Sequence, residues 1–162
     1  MNTGMFLNQP SIYTEDGQGN EQNLRGEALD LYFRMSTNGK LHRTFNFLRK
    51  KSRSLLDIAN SKTPECRLNR HFAGFQNVAI EQIKGTESRE GDFDDSFYPI
   101  HDRMRSRWLG VAAARLSGKE LPPVELIQVG GIYYVQDGHH RISVAKAMGE
   151  DFIDAEVIDL DC

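Results

Sequence analysis

The chain has 162 residues, of which 39% are hydrophobic and 27% are charged, and its formal net charge is −3. These values fit a soluble protein, either one domain with its own core or a small domain plus an extension, and they exclude a strong overall attraction to nucleic acids or membrane surfaces. Cys66 and Cys162 form neither a CxxC pair nor a zinc-binding spacing, so we expect no disulfide framework. Because the sequence shows no signal-peptide pattern and no apolar run of ~20 residues, we expect a cytoplasmic protein that does not enter membranes.

The charges are unevenly distributed along the chain. Leu31–Leu56 contains seven Lys or Arg residues and no acidic residue, whereas Glu150–Cys162 contains six acidic residues and no basic one. Two interpretations stay open. Either the two segments attract each other within the molecule, or the basic segment, with Lys50, Lys51 and Arg53, binds nucleic acid or another anionic partner.

The N-terminal half is predicted to be a tail followed by helices. Residues 1–23 are polar and aperiodic, which is typical of a disordered or loosely attached tail. Residues 24–75 are interpreted as a helical N-terminal extension, with one helix ending at Asn38-Gly39 and another over Leu41–Ala59. This extension is expected either to pack on the rest of the molecule or to bind a protein partner. The apolar residues at helical spacing are Leu24, Ala28, Leu31, Met35, Leu41, Phe45, Leu48, Leu55 and Ile58.

Residues 76–162 carry the local signals of a separate domain. Alternating apolar residues predict strands, a 3.6-residue period predicts helices, and Gly130-Gly131 predicts a hairpin turn. Together they indicate an α+β fold preceded by the N-terminal helical segment. The expected elements are a strand over Asn77–Ile83, a helix over Pro99–Ser117 capped by Asp95 or Ser96, strands over Val124–Val129 and Ile132–Gln136, a helix ending at Met148, and a strand over Phe152–Ile158.

The sequence Asp137-Gly138-His139-His140-Arg141 lies where a strand is expected to end and a helix to begin. The first N–H groups of a helix lack intrahelical acceptors and carry the positive end of the helix dipole, so they favour a bound anion. Gly138 lets an anion approach the backbone, and the side chains of His139, His140 and Arg141 can donate to phosphate. For Asp137 three roles stay open: it caps the helix, orients a histidine, or holds Mg²⁺ against a bound nucleotide. In the plainer alternative Asp137 caps the helix, the histidines are solvated and Arg141 pairs with an acidic neighbour.

This order of elements and this turn resemble the ParB/sulfiredoxin superfamily, including its ParB-like "nuclease" domains. The resemblance covers Gln76–Asp159, about half of the chain, and its specific part is Val135–Gly149, with a Gly-x-x-Arg turn, small residues on the helix and a glycine before the last strand. Leu121–Val124 resembles the strand entry of ParB-like domains. Arg89 followed by Asp92–Asp94 resembles the Arg…Phe-Asp segment that precedes their long helix. The resemblance implies a small mixed β-sheet with helices.

Members of this superfamily perform different chemistry, and the turn distinguishes them. His139 stands where sulfiredoxins carry their catalytic cysteine, which argues against sulfinic acid reduction. His139 and His140 replace the Glu and first Arg of the Gly-Glu-Arg-Arg turn with which ParB proteins hold cytidine triphosphate. The turn is most similar to the Asp-Gly-His-His-Arg-like turn of free serine kinases, which also use a glutamate after the first strand as general base. Glu87 stands at about that position, and the alternative for it is a solvated loop carboxylate.

Three functions therefore stay open. The first is a nucleotide- or phosphate-binding protein, an ATP- or CTP-dependent phosphotransferase or a nucleotide hydrolase, with a nucleotide di- or triphosphate and Mg²⁺ as cofactor. The second is a DNA- or RNA-binding or nuclease-like protein, and the third is a non-catalytic regulatory module. The residues expected to bind phosphate are Arg89, Gly138, His139, His140 and Arg141, and those expected to act in catalysis are Glu87, Asp137, His139 and His140.

Overall fold

A computed structural model describes residues 16–48, 55–57, 70–87 and 91–160. Within these ranges the chain forms three α-helices and six strands that pair into one sheet. The predicted α+β class is therefore confirmed. The helices are α1 (Asp16–Leu48), α2 (Arg105–Leu116) and α3 (His139–Ala147), and the strands are β1 (Leu56–Asp57), β2 (Arg70–Ala79), β3 (Ile83–Thr86), β4 (Val124–Val129), β5 (Ile132–Asp137) and β6 (Phe152–Leu160).

The sheet is mixed, as expected, and its strand order is β1-β3-β5-β4-β6-β2. β4 pairs antiparallel with β5, and β2 pairs antiparallel with β6, while the other neighbours are parallel. In the parallel pair of β3 and β5, Thr86 lies opposite Val135. Because the carboxyl ends of parallel neighbours lie at the same edge of a sheet, Glu87 and the turn that follows β5 come to one end of the molecule.

The main core lies between the sheet and α3. Alternate residues of the strands face the helix, and Ile142 of α3 is completely buried against them. At ~25 cal/mol per Å² of apolar surface removed from water, such side chains each stabilise the fold by about 1.5–3 kcal/mol. The fully buried strand residues of this core are Val124, Leu126, Val135 and Val157.

A second core joins α1 to α2 and α3. The N-terminal helix therefore packs on the rest of the molecule, which is one of the two arrangements expected from the sequence. The ring of Tyr32 meets that of Trp108 edge-on, with ring centroids 5.4 Å apart. Trp108 is buried, and its indole N–H donates a 2.9 Å hydrogen bond to Oγ of Ser143 on α3. This bond satisfies a polar group that burial would otherwise destabilise.

Three local predictions for residues 121–160 are confirmed. The hairpin over Val124–Val129 and Ile132–Asp137 turns at Gly130-Gly131, where both glycines have positive φ. α3 follows at His139, and Gly149 adopts a φ of +79° directly after the helix. These signals depend on neighbouring residues alone, which is why the sequence predicts them well.

The prediction for Asn38-Gly39 is wrong, because α1 continues through both residues to Leu48. A Cβ atom on Gly39 would lie 2.8 Å from Cβ of Tyr98. The glycine therefore permits close approach of the helix to Tyr98 rather than ending the helix. Its helical propensity cost of about 1 kcal/mol is overridden by this packing and by the length of the helix.

The predicted helix over Leu41–Ala59 is correct only in its first part, because residues 41–48 are helical as the end of α1, whereas Leu56–Asp57 is strand β1. Beyond Gly39, α1 exposes apolar side chains that were expected to be buried, Leu41 at 65% and Leu48 at 73%. Leu55 is buried but lies outside any helix, directly before strand β1. An apolar stripe at helical spacing thus does not by itself show that the stripe is covered.

Three further boundaries differ from those expected. β2 begins at Arg70, so the predicted domain boundary between residues 75 and 76 lies inside a strand, and a three-ten turn over Ile80–Gln82 separates β2 from β3. α1 begins at Asp16, within the segment expected to be a tail. Neither Asp95 nor Ser96 caps α2, which begins at Arg105 after a three-ten turn.

None of the helices that the structure describes is both long enough and apolar enough to cross a bilayer. The cytoplasmic location stays a prediction.

Candidate functional site

The turn between β5 and α3 is built around Gly138. This residue has a φ of +103° and directly precedes the helix. A Cβ atom at this position would lie 2.6 Å from Cγ1 of Val124 on the neighbouring strand. Only glycine fits here, because both the left-handed backbone and the close contact exclude a side chain. The first turn of α3 is consequently held tightly against the sheet.

A cavity of about 290 Å³ opens at this helix N-terminus. It is formed by the turn, by the first residues of α3, by the loop that enters β4, and by one side of α2. The first N–H groups of α3 have no acceptor within the helix, and the positive end of the helix dipole lies behind them. The residues that line the cavity are Arg107, Val111, Leu121, Pro122, Asp137, Gly138, His139, His140 and Arg141.

Arg141 lies in the wall of this cavity, but its guanidinium binds other parts of the chain. Nη1 donates to the carbonyl oxygens of Pro122 and Pro123, each at 2.7 Å, and Nη2 donates to the carboxylate of Asp137. Both carbonyls belong to prolines, which have no N–H group, and the loop that contains them precedes β4. Arg141 thus joins the loop before β4 to the end of β5 and shapes the cavity. Its predicted role as a phosphate ligand stays a prediction.

His139 is a buried residue rather than a solvated one. Only 2% of it is exposed, and its Nε2 lies 2.8 Å from Oγ1 of Thr86, which is itself buried. Its ring stacks on Phe93 with centroids 5.9 Å apart and planes 18° apart. The hydrogen bond and the stacking hold the imidazole in one orientation, so the first residue of α3 connects the turn to β3.

His140 is the other imidazole of the turn, and it is 7% exposed. Phe93 meets its ring edge-on, with centroids 5.3 Å apart. Adjacent helical residues point about 100° apart, and the single ring of Phe93 nevertheless contacts both histidines. The plainer alternative is wrong in having both histidines solvated, because both are buried, and correct in pairing Arg141 with an acidic neighbour, which is Asp137.

The two acidic residues expected to act in catalysis have ion-pair partners. Asp137 does not cap α3, since no side chain accepts a hydrogen bond at that position, and it pairs with Arg141 instead. Glu87 follows Thr86 directly, and its Oε1 accepts a 2.7 Å hydrogen bond from Nη2 of Arg70. Its neighbour Thr86 contacts His139 of the turn, but Glu87 itself does not line the cavity. Their catalytic roles stay predictions.

The loop over residues 91–99 supplies Phe93 and is held by a buried carboxylate. Oδ1 of Asp94 accepts the backbone N–H groups of Ser96 and Tyr98, both at 3.0 Å. Burial raises the pKa of Asp94 above its ordinary value, and these two hydrogen bonds oppose that rise. Burial likewise lowers the pKa of Lys146 on α3, although the charge of Asp94 opposes the change.

Arg107 of α2 lines the cavity and was not predicted from the sequence. It is one of several exposed arginines near the start of α2, and nothing in the local sequence separates it from Arg103 or Arg105. Only the packing of α2 beside α3 brings it to the turn. The other basic residues predicted to bind phosphate or nucleic acid, which are Arg89, Lys50, Lys51 and Arg53, lie outside the described residues.

Comparisons with known proteins add little to this picture. No protein-family model matches the chain, and no curated protein matches it significantly. Among solved structures, the crystal structure of sulfiredoxin from Arabidopsis thaliana is similar, at 20% sequence identity and a TM-score of 0.32, over 51% of this chain and 82% of that one. A likeness of this strength supports no conclusion about activity, ligand or partner.

Proposed function

We propose that this protein binds the phosphate group of a nucleotide at the N-terminus of α3. The observation that carries the proposal is the cavity of about 290 Å³ whose wall includes Gly138 and the first three residues of the helix. A helix N-terminus that opens into a cavity presents N–H donors and a positive partial charge to an anion.

The charges around the cavity favour an anion. Arg107 adds a guanidinium from α2. The other two charged residues that line the wall, Arg141 and Asp137, form an ion pair with each other. Because Arg141 already neutralises Asp137, the pair as a whole repels a phosphate much less than a free carboxylate would. Arg107 is exposed, so it can move towards a ligand at little cost.

The size of the cavity suits a phosphate chain better than a whole nucleotide. Small-molecule pockets typically enclose about 300–1,000 Å³, and this cavity of about 290 Å³ is at the lower end. In the proposed complex, the phosphate occupies the cavity and the nucleoside extends beyond it. As an extension of this proposal, transfer or hydrolysis of that phosphate would use Glu87 as base and Mg²⁺ held at Asp137.

Thermal unfolding of the full chain in the presence of ligands tests the proposal. Candidate ligands are ATP, CTP, ADP and inorganic phosphate, each with Mg²⁺. A ligand at 100 times its dissociation constant adds about 2.7 kcal/mol of stability, which raises the midpoint by several degrees in a chain of this size. Failure of all four ligands to move the midpoint of the folded protein contradicts the proposal.

Two arginine variants locate the binding. Arg107→Gln removes the guanidinium in the cavity wall, and we expect it to lower affinity at least tenfold. Arg103→Gln is the matched control, because Arg103 carries the same charge on a 73% exposed side chain and pairs with Asp92 away from the cavity. An equal loss of affinity in both variants would show that only the general charge of the surface matters.

A further inference from the structure

A second polar cluster lies between α1 and the loop over residues 91–99. Nδ1 of His42 is 3.6 Å from Oδ2 of Asp94 and 3.6 Å from Oδ1 of Asp95. The three atoms all lie within 4.8 Å of one another. We call these residues the His42–Asp94–Asp95 cluster. None of them lines the cavity at α3, so the cluster is separate from the candidate phosphate site.

The carboxylate of Asp94 has one oxygen in use and one directed into the cluster. Oδ1 accepts the amides of Ser96 and Tyr98, whereas Oδ2 is buried and accepts no hydrogen bond from any residue of the described ranges. The side chain of Asp94 is 1% exposed. Oδ1 of Asp95 is also buried and receives no hydrogen bond from those ranges. Their contacts within those ranges are ion pairs longer than hydrogen bonds, from Nδ1 of His42 to both oxygens and from Nη1 of Arg43 to Oδ2 of Asp94. Buried polar atoms normally have hydrogen-bond partners.

The two separations from Nδ1 of His42 are longer than hydrogen bonds and fit ligands of one metal ion. Separations of 3.6 Å exceed the ~2.7–3.2 Å of an N–H···O bond. Ligands at about 2.1 Å from a tetrahedral zinc ion are about 3.4 Å apart, which is close to the two separations from His42; the two carboxylate oxygens lie within 4.8 Å of each other. Groups around one water molecule at ~2.8 Å would be about 4.6 Å apart in the same geometry, which is a poorer match.

The other nitrogen of His42 supports the same assignment. Its Nε2 lies 3.3 Å from Oγ of Ser96. When Nε2 carries the proton and donates it to this hydroxyl, the lone pair of Nδ1 faces the two carboxylates. Metal-binding histidines are commonly oriented in this way, through a hydrogen bond from the nitrogen that does not bind the metal.

The charges near the cluster leave room for a divalent cation. Asp94 and Asp95 contribute two negative charges, and Nη1 of Arg43, 3.5 Å from Oδ2 of Asp94, offsets one of them. Lys146 of α3 also acts electrostatically on both carboxylates. A dication beside these carboxylates would be attracted by their negative charge.

We propose that His42, Asp94 and Asp95 bind a divalent transition-metal ion of the zinc type. One imidazole and two carboxylates suit zinc and its neighbours, whereas Mg²⁺ and Ca²⁺ prefer oxygen ligands alone. The ion connects α1 to the loop that holds Phe93 against His139. It therefore stabilises the position of the loop beside the turn, and it does so whether or not the turn binds phosphate.

The test uses the full chain after removal of metal by a chelator. The chain is titrated with zinc sulfate, and bound zinc is measured by calorimetry and by elemental analysis. We expect one ion per chain, at least tenfold weaker binding in His42→Gln and in Asp95→Asn, and unchanged binding in the control His71→Gln. His71 is a good control because it also lies beside an acidic residue, Asp159.

Cobalt(II) gives a second readout that needs no variant. Bound to this nitrogen and oxygen donor set, it is expected to absorb in the visible range without a thiolate charge-transfer band. Three results would overturn the proposal: no stoichiometric zinc binding to the native chain, binding retained in both folded variants, or a thiolate band that assigns the ion to a cysteine. Far-ultraviolet circular dichroism establishes that each variant is folded.

Discussion

The substitution Gly138→Ala tests whether the turn at the candidate site has the strained geometry described above. Gly138 has a φ of +103°, and an added Cβ would meet Cγ1 of Val124 at 2.6 Å and Cβ of Val124 at 2.8 Å. Both atoms belong to a buried β-branched side chain whose χ1 angle is stiff. The contact can therefore be relieved only by moving the turn away from β4.

Three effects determine the magnitude. A left-handed backbone costs a residue with a Cβ about 1–2 kcal/mol, and an added methyl group in a tightly packed place costs about 1–3 kcal/mol. Alanine also reduces the entropy of the unfolded chain, which offsets about 0.4–1 kcal/mol. We therefore expect Gly138→Ala to lower the free energy of unfolding by about 1–5 kcal/mol, a substantial part of the ~5–15 kcal/mol of a typical domain.

Gly149→Ala is the matched control at the other end of α3. Gly149 also has a positive φ, +79°, but no atom lies within 4 Å of an added Cβ. Gly149→Ala therefore carries only the cost of the left-handed backbone. We expect it to lower the free energy of unfolding by about 1 kcal/mol or less. Urea denaturation, followed by the fluorescence of Trp108, measures both values. Equal destabilisation by the two substitutions would refute the claim that contact with Val124 holds the turn.

Three other changes test the surroundings of the site. Ser143→Ala removes the acceptor of the Trp108 indole N–H, and we expect a loss of about 1–3 kcal/mol by urea denaturation. Thr86→Val removes the hydroxyl beside Nε2 of His139; we expect a similar loss and a changed imidazole resonance in NMR spectra, and an unchanged resonance would contradict the proposed contact. For Lys146, burial lowers the pKa below its ordinary value of 10.5, so the unfolded chain binds more protons between the two pKa values. The stability of the native chain relative to Lys146→Met should therefore increase as the pH rises towards 10.5, and a pH-independent difference would contradict this reasoning.

In the segment from β4 to β6, the order and the ends of the elements follow from neighbouring residues. Gly130-Gly131, Asp137-Gly138 and Gly149 mark the ends of its elements, and the structure has a turn at each. Glycines with positive φ fix the direction of the chain through their neighbours alone. The alternation of apolar residues in the strands likewise depends on one chain segment and one buried face. The order of elements around the turn could therefore be predicted without knowledge of the rest of the molecule.

The helix end expected at Gly39 and the missing strand β1 both depend on contacts between segments that are distant in the sequence. Gly39 has the sequence signal of a helix end, yet it lies inside α1 because Tyr98 packs against it. The short strand β1 depends on its pairing with β3, about 30 residues further along the chain. No period within the segment itself predicts such pairing.

The amino-acid sequence by itself determined that a glycine turn joins a strand to a helix at Asp137–Arg141, because backbone preferences act between neighbours. Tertiary structure decided what the side chains of that turn do. Packing buries His139 between Thr86 and Phe93, directs Arg141 to the carbonyls before β4, and brings Arg107 to the cavity. These partners come from elsewhere in the chain, and the electrostatic and packing energies that select them depend on distance in space rather than on separation in sequence.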